Sequence, residues 1–217
     1  MTLDALIFDF DGLIMDTEST LLESWRWEWR QHGLELPAEG FFAAHGGPVP
    51  ERYEALAAAV GAGYDRQASH ERRNAYRQRL HETLPPAPGI RDWFDQAAEL
   101  ELRLAVASSS DEQWVHGHLA RAGLLSRIEV TACGNEVAGH KPDPAVYLLA
   151  LQRLGLGADR ALAFEDTPHG VAAARAAGLR CVAVPNAFVA ADRFGRADLV
   201  LTSAADIALA ALIDKIS

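Results

Sequence analysis

From residue 87 to its C-terminus the chain alternates short apolar runs with helical ones, and this alternation limits its fold more than any other feature. Ile90–Glu99 reads as a helix, Leu102–Ala107 as a strand, Asp111–Ala122 as a helix ended by Gly123, and Ile128–Ala132 as a strand. Pro144–Leu154 reads as a helix, Ala161–Phe164 as a strand, Thr167–Ala177 as a helix ended by Gly178, and Arg180–Val184 as a strand. A short strand at Leu199–Leu201 and a helix over Ser203–Ile216 close the pattern. Helices of this length between apolar strands predict a parallel sheet covered on both faces, an α/β, Rossmann-like architecture.

One strand lies outside that run. Leu3–Phe10, apolar except for Asp4 and Asp9, reads as a buried strand. The next stretch of chain carries no clear strand: Thr17 to His32, Pro50–Val60 and Ser69–Leu84 all read as helical, and Pro85-Pro86-Ala87-Pro88-Gly89 is a stiff, helix-breaking link. That stretch is too long for a loop. The predicted organisation is therefore an α/β core of residues 1–15 and 87–217 with an inserted helical cap, residues 16–86. In the first cap helix Leu21, Leu22, Trp25 and Trp29 share a face, which leaves Trp27 on the other side, at a domain interface or a ligand.

Composition narrows the function classes. The 217 residues carry a formal charge of −10, which argues against a nucleic-acid partner, whose footprint is usually a basic patch. Two cysteines, Cys133 and Cys181, are too few for a disulfide framework. No basic stretch precedes an apolar run at the N-terminus, and no apolar run reaches the roughly 20 residues of a membrane span. The expectation is a soluble cytoplasmic protein. Only Lys141 and Lys215 are lysines, so any chemistry that needs a lysine has two candidates.

In open parallel sheets, ligands bind beyond the carboxyl ends of the strands. Those ends read Asp9-Phe10-Asp11-Gly12, Ser108-Ser109-Ser110, then His140-Lys141-Pro142-Asp143-Pro144 in the segment after the third strand, and Glu165-Asp166-Thr167-Pro168. Four acids gathered in one partly desolvated crevice against Lys141 would cost several kcal/mol unless they protonate or hold a cation. Oxygen donors of this hard type suit Mg²⁺, which takes one or two carboxylates together with substrate phosphate and water. Zinc finds no such set, because His116 and His118 point different ways on one helix. Taken singly, such acids often only cap helices, as Asp111 and Asp143 are expected to do. Successive strand ends carrying them in this order are a different matter.

The sequence resembles the haloacid-dehalogenase-like superfamily, in its branch of β-phosphoglucomutases and small-metabolite phosphatases. The likeness spans essentially the whole chain, through Leu6–Glu18, Ala105–Ser110, Lys141–Pro144 and Phe164–Gly170. It implies that Asp9 is the nucleophile that takes the phosphoryl group, and that Asp11 protonates the leaving alcohol and then activates water. It implies further that Ser108 and Ser109 hold phosphoryl oxygens while Lys141 neutralises their charge. Mg²⁺ would be held by Asp9, the Asp11 carbonyl and Asp166, with Glu165 either a ligand itself or a group that holds a ligand in place.

Departures from the family pattern narrow the activity. Asp11 is present where dehalogenases proper lack an aspartate, which favours phosphoryl transfer. Residues 16–86 contain no lysine, so the Schiff base of a phosphonoacetaldehyde hydrolase cannot form there. Leu21 stands where a β-phosphoglucomutase usually has histidine, which argues for hydrolysis. Arg52, Arg72, Arg73 and Arg77 are either substrate contacts or solvated helix faces, and Arg52, after Gly46-Gly47-Pro48, is singled out as a cap contact; His45 is given no role, and His169 is read as packing or capping. The expected function is a Mg²⁺-dependent phosphatase of a sugar or polyol phosphate. A β-phosphoglucomutase-like phosphomutase and a catalytically silent phosphometabolite-binding regulator are the alternatives. Expected partners are a small phosphate ester alone, with neither nucleic acid nor membrane, on a monomer or weak dimer.

Overall fold

Six parallel strands form one sheet: β1 (Ala5–Phe8), β2 (Arg103–Ala107), β3 (Val130–Ala132), β4 (Ala161–Glu165), β5 (Arg180–Ala183) and β6 (Leu199–Val200). Their spatial order is β3-β2-β1-β4-β5-β6, in a computed structural model that describes residues 3–37 and 50–216, without the side chains of Pro50 and Glu51. The first strand in sequence is thus central, and all four of its residues are buried. That is why it reads as a continuous apolar run: a strand covered on both faces has no solvent side to make polar. Register fixes the geometry of the strand ends. Phe8 lies beside Val106 on one side and Phe164 on the other, so the residues that follow each strand emerge together.

The two faces differ in bulk. Leu6, Phe8, Leu104, Val106, Leu162 and Phe164 point to one side, where Phe8 stacks on Phe164 with ring centroids 4.6 Å apart. That side is covered by α4 (Ile90–Glu99), α5 (Glu112–Arg121) and α8 (Leu209–Ile216), through residues such as Trp93, Leu119 and Leu212. Ala5, Ile7, Ala105, Ala107, Ala161, Ala163 and Ala183 point to the other, under α6 (Ala145–Leu154) and α7 (Pro168–Ala176). Small side chains there let those two helices sit close to the sheet.

The chain divides into two compact units, Met1–Asp16 with Leu84–Ser217, and Thr17–Thr83. The return into the first unit lies at residue 84 because Leu84 packs on the sheet's bulky face, Pro86 bridges Met15, and the Ala87 N–H donates to the Ile14 carbonyl at 2.8 Å. The second unit holds α1 (Thr17–Gln31), α2 (Pro50–Val60) and α3 (Arg66–Glu82) around Trp25, Trp29, Tyr53 and Leu56. Helix α3 starts three residues before the expected Ser69, since the Asp65 carboxylate caps it by accepting from the Ala68 N–H at 3.0 Å. Trp27 is half-buried and stacks on Tyr76 of the same unit at 4.6 Å.

The expected helix over Ser203–Ile216 is two pieces. A short 3₁₀ turn, Ala204–Asp206, precedes an extended Ile207 (φ −147°), and α8 begins only at Leu209. Tertiary bonds outweigh helical propensity here: the Ile207 carbonyl accepts from the Trp93 indole at 2.9 Å, and the Leu209 N–H donates to the Gln96 side chain at 2.7 Å.

Candidate active site

Asp9 is the first residue beyond β1, and its N–H still donates to the Phe164 carbonyl at 2.9 Å. This pins its backbone between the ends of β2 and β4. The residue is 6% exposed, and its carboxylate accepts from the Lys141 ammonium at 2.5 Å. Lys141 also donates to Glu165 Oε1 at 2.6 Å and to the Ala107 carbonyl at 2.9 Å, so one ammonium spans three strand ends. The turn that delivers it is closed by the Asp143 N–H on the His140 carbonyl, and Asp143 then accepts from the Ala145 N–H at 2.9 Å to open α6. The Lys141–Pro142 peptide is cis.

Glu165 is fully buried and accepts four hydrogen bonds. Besides Lys141, its Oε1 accepts from the Tyr147 hydroxyl at 2.6 Å, and its Oε2 from the Asp166 N–H at 3.2 Å and the Thr167 hydroxyl at 3.4 Å. Thr167 caps α7 by accepting from the Gly170 N–H at 3.1 Å. Gly170 has to be glycine, because a Cβ there would lie 1.9 Å from Glu165 Oε2. Next along the chain, Asp166 is 1% exposed and its Oδ2 accepts from the Asn186 amide at 2.8 Å. Gly12, at φ +84°, turns the chain back beneath it; a Cβ there would fall 1.9 Å from Asp166 Oδ2.

Ser108 follows β2 and is buried; its N–H donates to the Ala132 carbonyl at 2.9 Å, and its hydroxyl accepts from the Ser110 N–H at 3.0 Å. Ser109 is exposed at the tip of that turn, and a Cβ on the facing Gly134 would sit 2.0 Å from its carbonyl oxygen. Asp11 faces elsewhere than Asp9: its Oδ2 accepts from the Ser110 hydroxyl at 2.6 Å and its Oδ1 from the Trp114 indole at 3.0 Å.

Electrostatics follow from this crowding. Burial raises the Asp9 carboxyl from 3.8 to about 7; Lys141 opposes the rise, while Glu165 and Asp11 add to it. For Lys141, burial alone would favour the neutral amine, but Asp9 and Glu165 together outweigh it and raise its pKa, so it stays charged. Burial raises the Tyr147 hydroxyl well above its usual value, with Glu165 adding to the effect, so it stays a donor. Burial likewise raises Cys133 to about 11 and lifts Cys181 well above the usual thiol range, which leaves neither as a thiolate nucleophile near neutrality.

Asp9, Glu165 and Asp166 each offer an oxygen within 4.8 Å of the others, all three buried. Buried, oxygen-only donors of this kind fit a hard divalent cation, and no histidine or cysteine joins them among the described residues. The Asp11 carboxylate is not in the set. Ser108, Lys141, Asp9, Glu165 and Asp166 are therefore gathered at one end of the sheet, with Asp11 held at its side by the second strand's loop. Arg52 belongs to the helical unit, where it is half-buried in α2, its pKa lowered by burial against an opposing effect of Glu18. Arg73 answers neither sequence expectation. It is buried, donating to the Tyr53 and Ser24 hydroxyls at 3.2 Å each and lying 4.7 Å over the Trp25 ring. Arg72 pairs with the buried Glu28 at 2.6 Å. His45 and Gly46-Gly47-Pro48 lie outside the described residues, and His169 is exposed.

Sequence reasoning missed three partners. Asn186 stands three residues past β5, where the same inspection of strand ends would have found it. Trp114 is four residues past Ser110, across the Asp111 cap, and that spacing was a usable signal. Tyr147 had none, since on an apolar helix face it reads as core.

Comparison with known proteins gives a consistent result. The family model described as haloacid dehalogenase-like hydrolase matches residues 6–184. YhcW of Bacillus subtilis (strain 168) is 37% identical over 98% of this chain and 97% of its own length. The fructose-1-phosphate phosphatase YqaB of Escherichia coli (strain K12) is 32% identical over 82% of this chain and 95% of its own. Among solved structures, CbbY of Rhodobacter sphaeroides in complex with phosphate superposes with a TM-score of 0.75 at 28% identity, covering 98% of this chain and all of that one.

Proposed function

The chain belongs to the haloacid dehalogenase-like hydrolase family, and on that premise we propose that it is a Mg²⁺-dependent phosphatase of small phosphorylated metabolites, sugar or polyol phosphates above all. The observation that carries the reading is the single ammonium of Lys141 bonded to Asp9 at 2.5 Å and Glu165 at 2.6 Å, with Asp166 beside them. A carboxylate nucleophile next to a fixed cation, with further oxygens for a metal, is the arrangement that transfer of an anionic phosphoryl group needs. Similarity to YqaB, a fructose-1-phosphate phosphatase, supports the sugar-phosphate class.

Asp9 attacks phosphorus through the carboxylate oxygen not bonded to Lys141, and the bond from phosphorus to the ester oxygen breaks. Asp11 gives its proton to the departing alkoxide, which leaves as the alcohol. A water then attacks the aspartyl-phosphate; Asp11 takes its proton, phosphate departs and Asp9 is restored. Ser108 and the Ser109 N–H orient the phosphoryl oxygens, and Lys141 offsets their charge. Asp9, Asp166 and the Asp11 carbonyl would hold Mg²⁺, which supplies the remaining positive charge against the phosphate. Glu165, with four hydrogen bonds already accepted, serves to hold Lys141 rather than the metal. A phosphomutase reading gains nothing from the helical unit, whose residues include no lysine.

The test is phosphate release from p-nitrophenyl phosphate, fructose 1-phosphate and glycerol 3-phosphate, with Mg²⁺ and with chelator. We expect metal-dependent release that Asp9→Asn lowers by on the order of 10⁴-fold or more. Metal-independent turnover, or full activity in Asp9→Asn, overturns the reading.

A further inference from the structure

We propose that Ser110 and Trp114 form a two-donor clamp that aims the Asp11 carboxylate, with Trp114 as its fixed anchor and a positioning residue for proton transfer. The inference rests on the phosphatase reading, in which Asp11 exchanges a proton with the leaving alcohol and with water.

Asp11 sits on a backbone that cannot itself choose the direction of the side chain. The loop is closed by the Gly12 N–H on the Met15 carbonyl at 2.8 Å and by the Ile14 N–H on the Phe10 carbonyl at 3.0 Å. The side chain is then addressed from a different strand end. A donor from it reaches each oxygen: the Ser110 hydroxyl reaches Oδ2 at 2.6 Å and the Trp114 indole Oδ1 at 3.0 Å. Two donors on two oxygens fix the plane of a carboxylate as well as its position.

The donors are unlike in mobility. Trp114 is tied down on several sides: its N–H donates to the Asp111 carboxylate at 2.8 Å, its carbonyl meets His118 Nδ1 at 2.9 Å, and its ring lies 4.2 Å from the His118 ring. His118 is itself buried, with its ring edge-on to Phe10 at 5.8 Å. The loop carrying Asp11 and the helix carrying Trp114 therefore share one packed contact, and the indole N–H is held where Oδ1 lies. An indole can only donate, so it serves as an anchor; a hydroxyl rotates and can donate or accept. Oδ1 is thus the held oxygen, and Oδ2 is the one that can change partners from Ser110 to the reacting group. Packing alone would require the ring of Trp114 but not its N–H.

Trp114→Phe keeps an aromatic ring and removes the donor. An alkoxide leaving group needs the proton from Asp11, whereas p-nitrophenolate departs without one, so the two ester types separate aim from fold. We expect the ratio of kcat/KM for p-nitrophenyl phosphate to that for fructose 1-phosphate to rise about tenfold over the unmodified chain. The reason is that kcat/KM reads the step up to release of the alcohol, in which only fructose 1-phosphate needs the acid, while the later step with Asp11 as base is common to both esters. Ser110→Ala, which removes the other donor, should move the ratio the same way by less, and it carries the test alone if Trp114→Phe does not fold. A ratio within about twofold of the starting value in these variants overturns the clamp while leaving the phosphatase reading in place. An unmodified chain that hydrolyses neither ester under Mg²⁺ removes the phosphatase reading, and the clamp with it.

Discussion

The two units of this chain use their charged residues in opposite ways. In the α/β unit, buried Asp9, Glu165 and Asp166 converge on the Lys141 ammonium at the end of the sheet, where burial raises the Asp9 carboxyl to about 7. In the helical unit, buried charge serves the fold: Arg73 binds the Tyr53 and Ser24 hydroxyls, and Arg72 closes on Glu28. The same ion pairs and charge-assisted bonds give poised chemistry in one place and cohesion in the other. Register separates them. Adjacent parallel strands place their successors side by side, whereas three helices around an aromatic core consume each polar group where it happens to fall.

Replacing Lys141 should sharpen that contrast most. Lys141→Met leaves Asp9 and Glu165 buried together without their cation, and activity should fall on the order of 10²–10³-fold. Metal-free protein should also lose about 3–5 kcal/mol of stability, read by chemical denaturation. Gly12→Ala comes next. Its Cβ would meet Asp166 Oδ2 at 1.9 Å on a backbone at φ +84°, so Mg²⁺ affinity should drop about 10–100-fold in titration calorimetry. Arg73→Met tests the other side of the comparison. It should cost about 2 kcal/mol of stability, seen as a lower Tm, while metal-dependent hydrolysis of p-nitrophenyl phosphate below that temperature persists. A collapse of that hydrolysis with Tm intact would show that the two units are not divided in this way.

A pH slope is the last expected effect. Without metal, Asp9 binds its proton more tightly folded than unfolded, because burial raises it from 3.8 to about 7. The folded protein holds more protons across that interval, so stability should fall as pH rises from about 4 toward 7. Saturating Mg²⁺, by favouring the charged carboxylate, should flatten the slope. Urea midpoints at several pH values, with metal and with chelator, check both statements.

The same contrast explains what could be read from sequence. Strand ends were legible because an apolar run, a turn residue and an acid in succession can hardly sit elsewhere in a parallel sheet: Asp9, Ser108, Lys141, Glu165 and Asp166 were all found that way. Tyr147, which reaches the site from a helix face, was not legible, since on α6 it looks like core. The helical unit resisted for a related reason. Arg73 carries the same local signature as a solvated arginine, and only the tertiary placement of Tyr53 and Ser24 turns it inward. The break at Ile207 was hidden likewise, because its cause, the Trp93 indole, lies more than a hundred residues away in sequence.

The central claim is that Asp9 accepts the phosphoryl group. Protein mixed with p-nitrophenyl phosphate and Mg²⁺, quenched in acid within milliseconds and digested, tests it directly by mass spectrometry. The account predicts one added phosphoryl group on the peptide containing Asp9, absent in Asp9→Asn and lost on treatment with hydroxylamine. Steady turnover with that peptide unmodified at every quench time, or with the label on another residue, would contradict it.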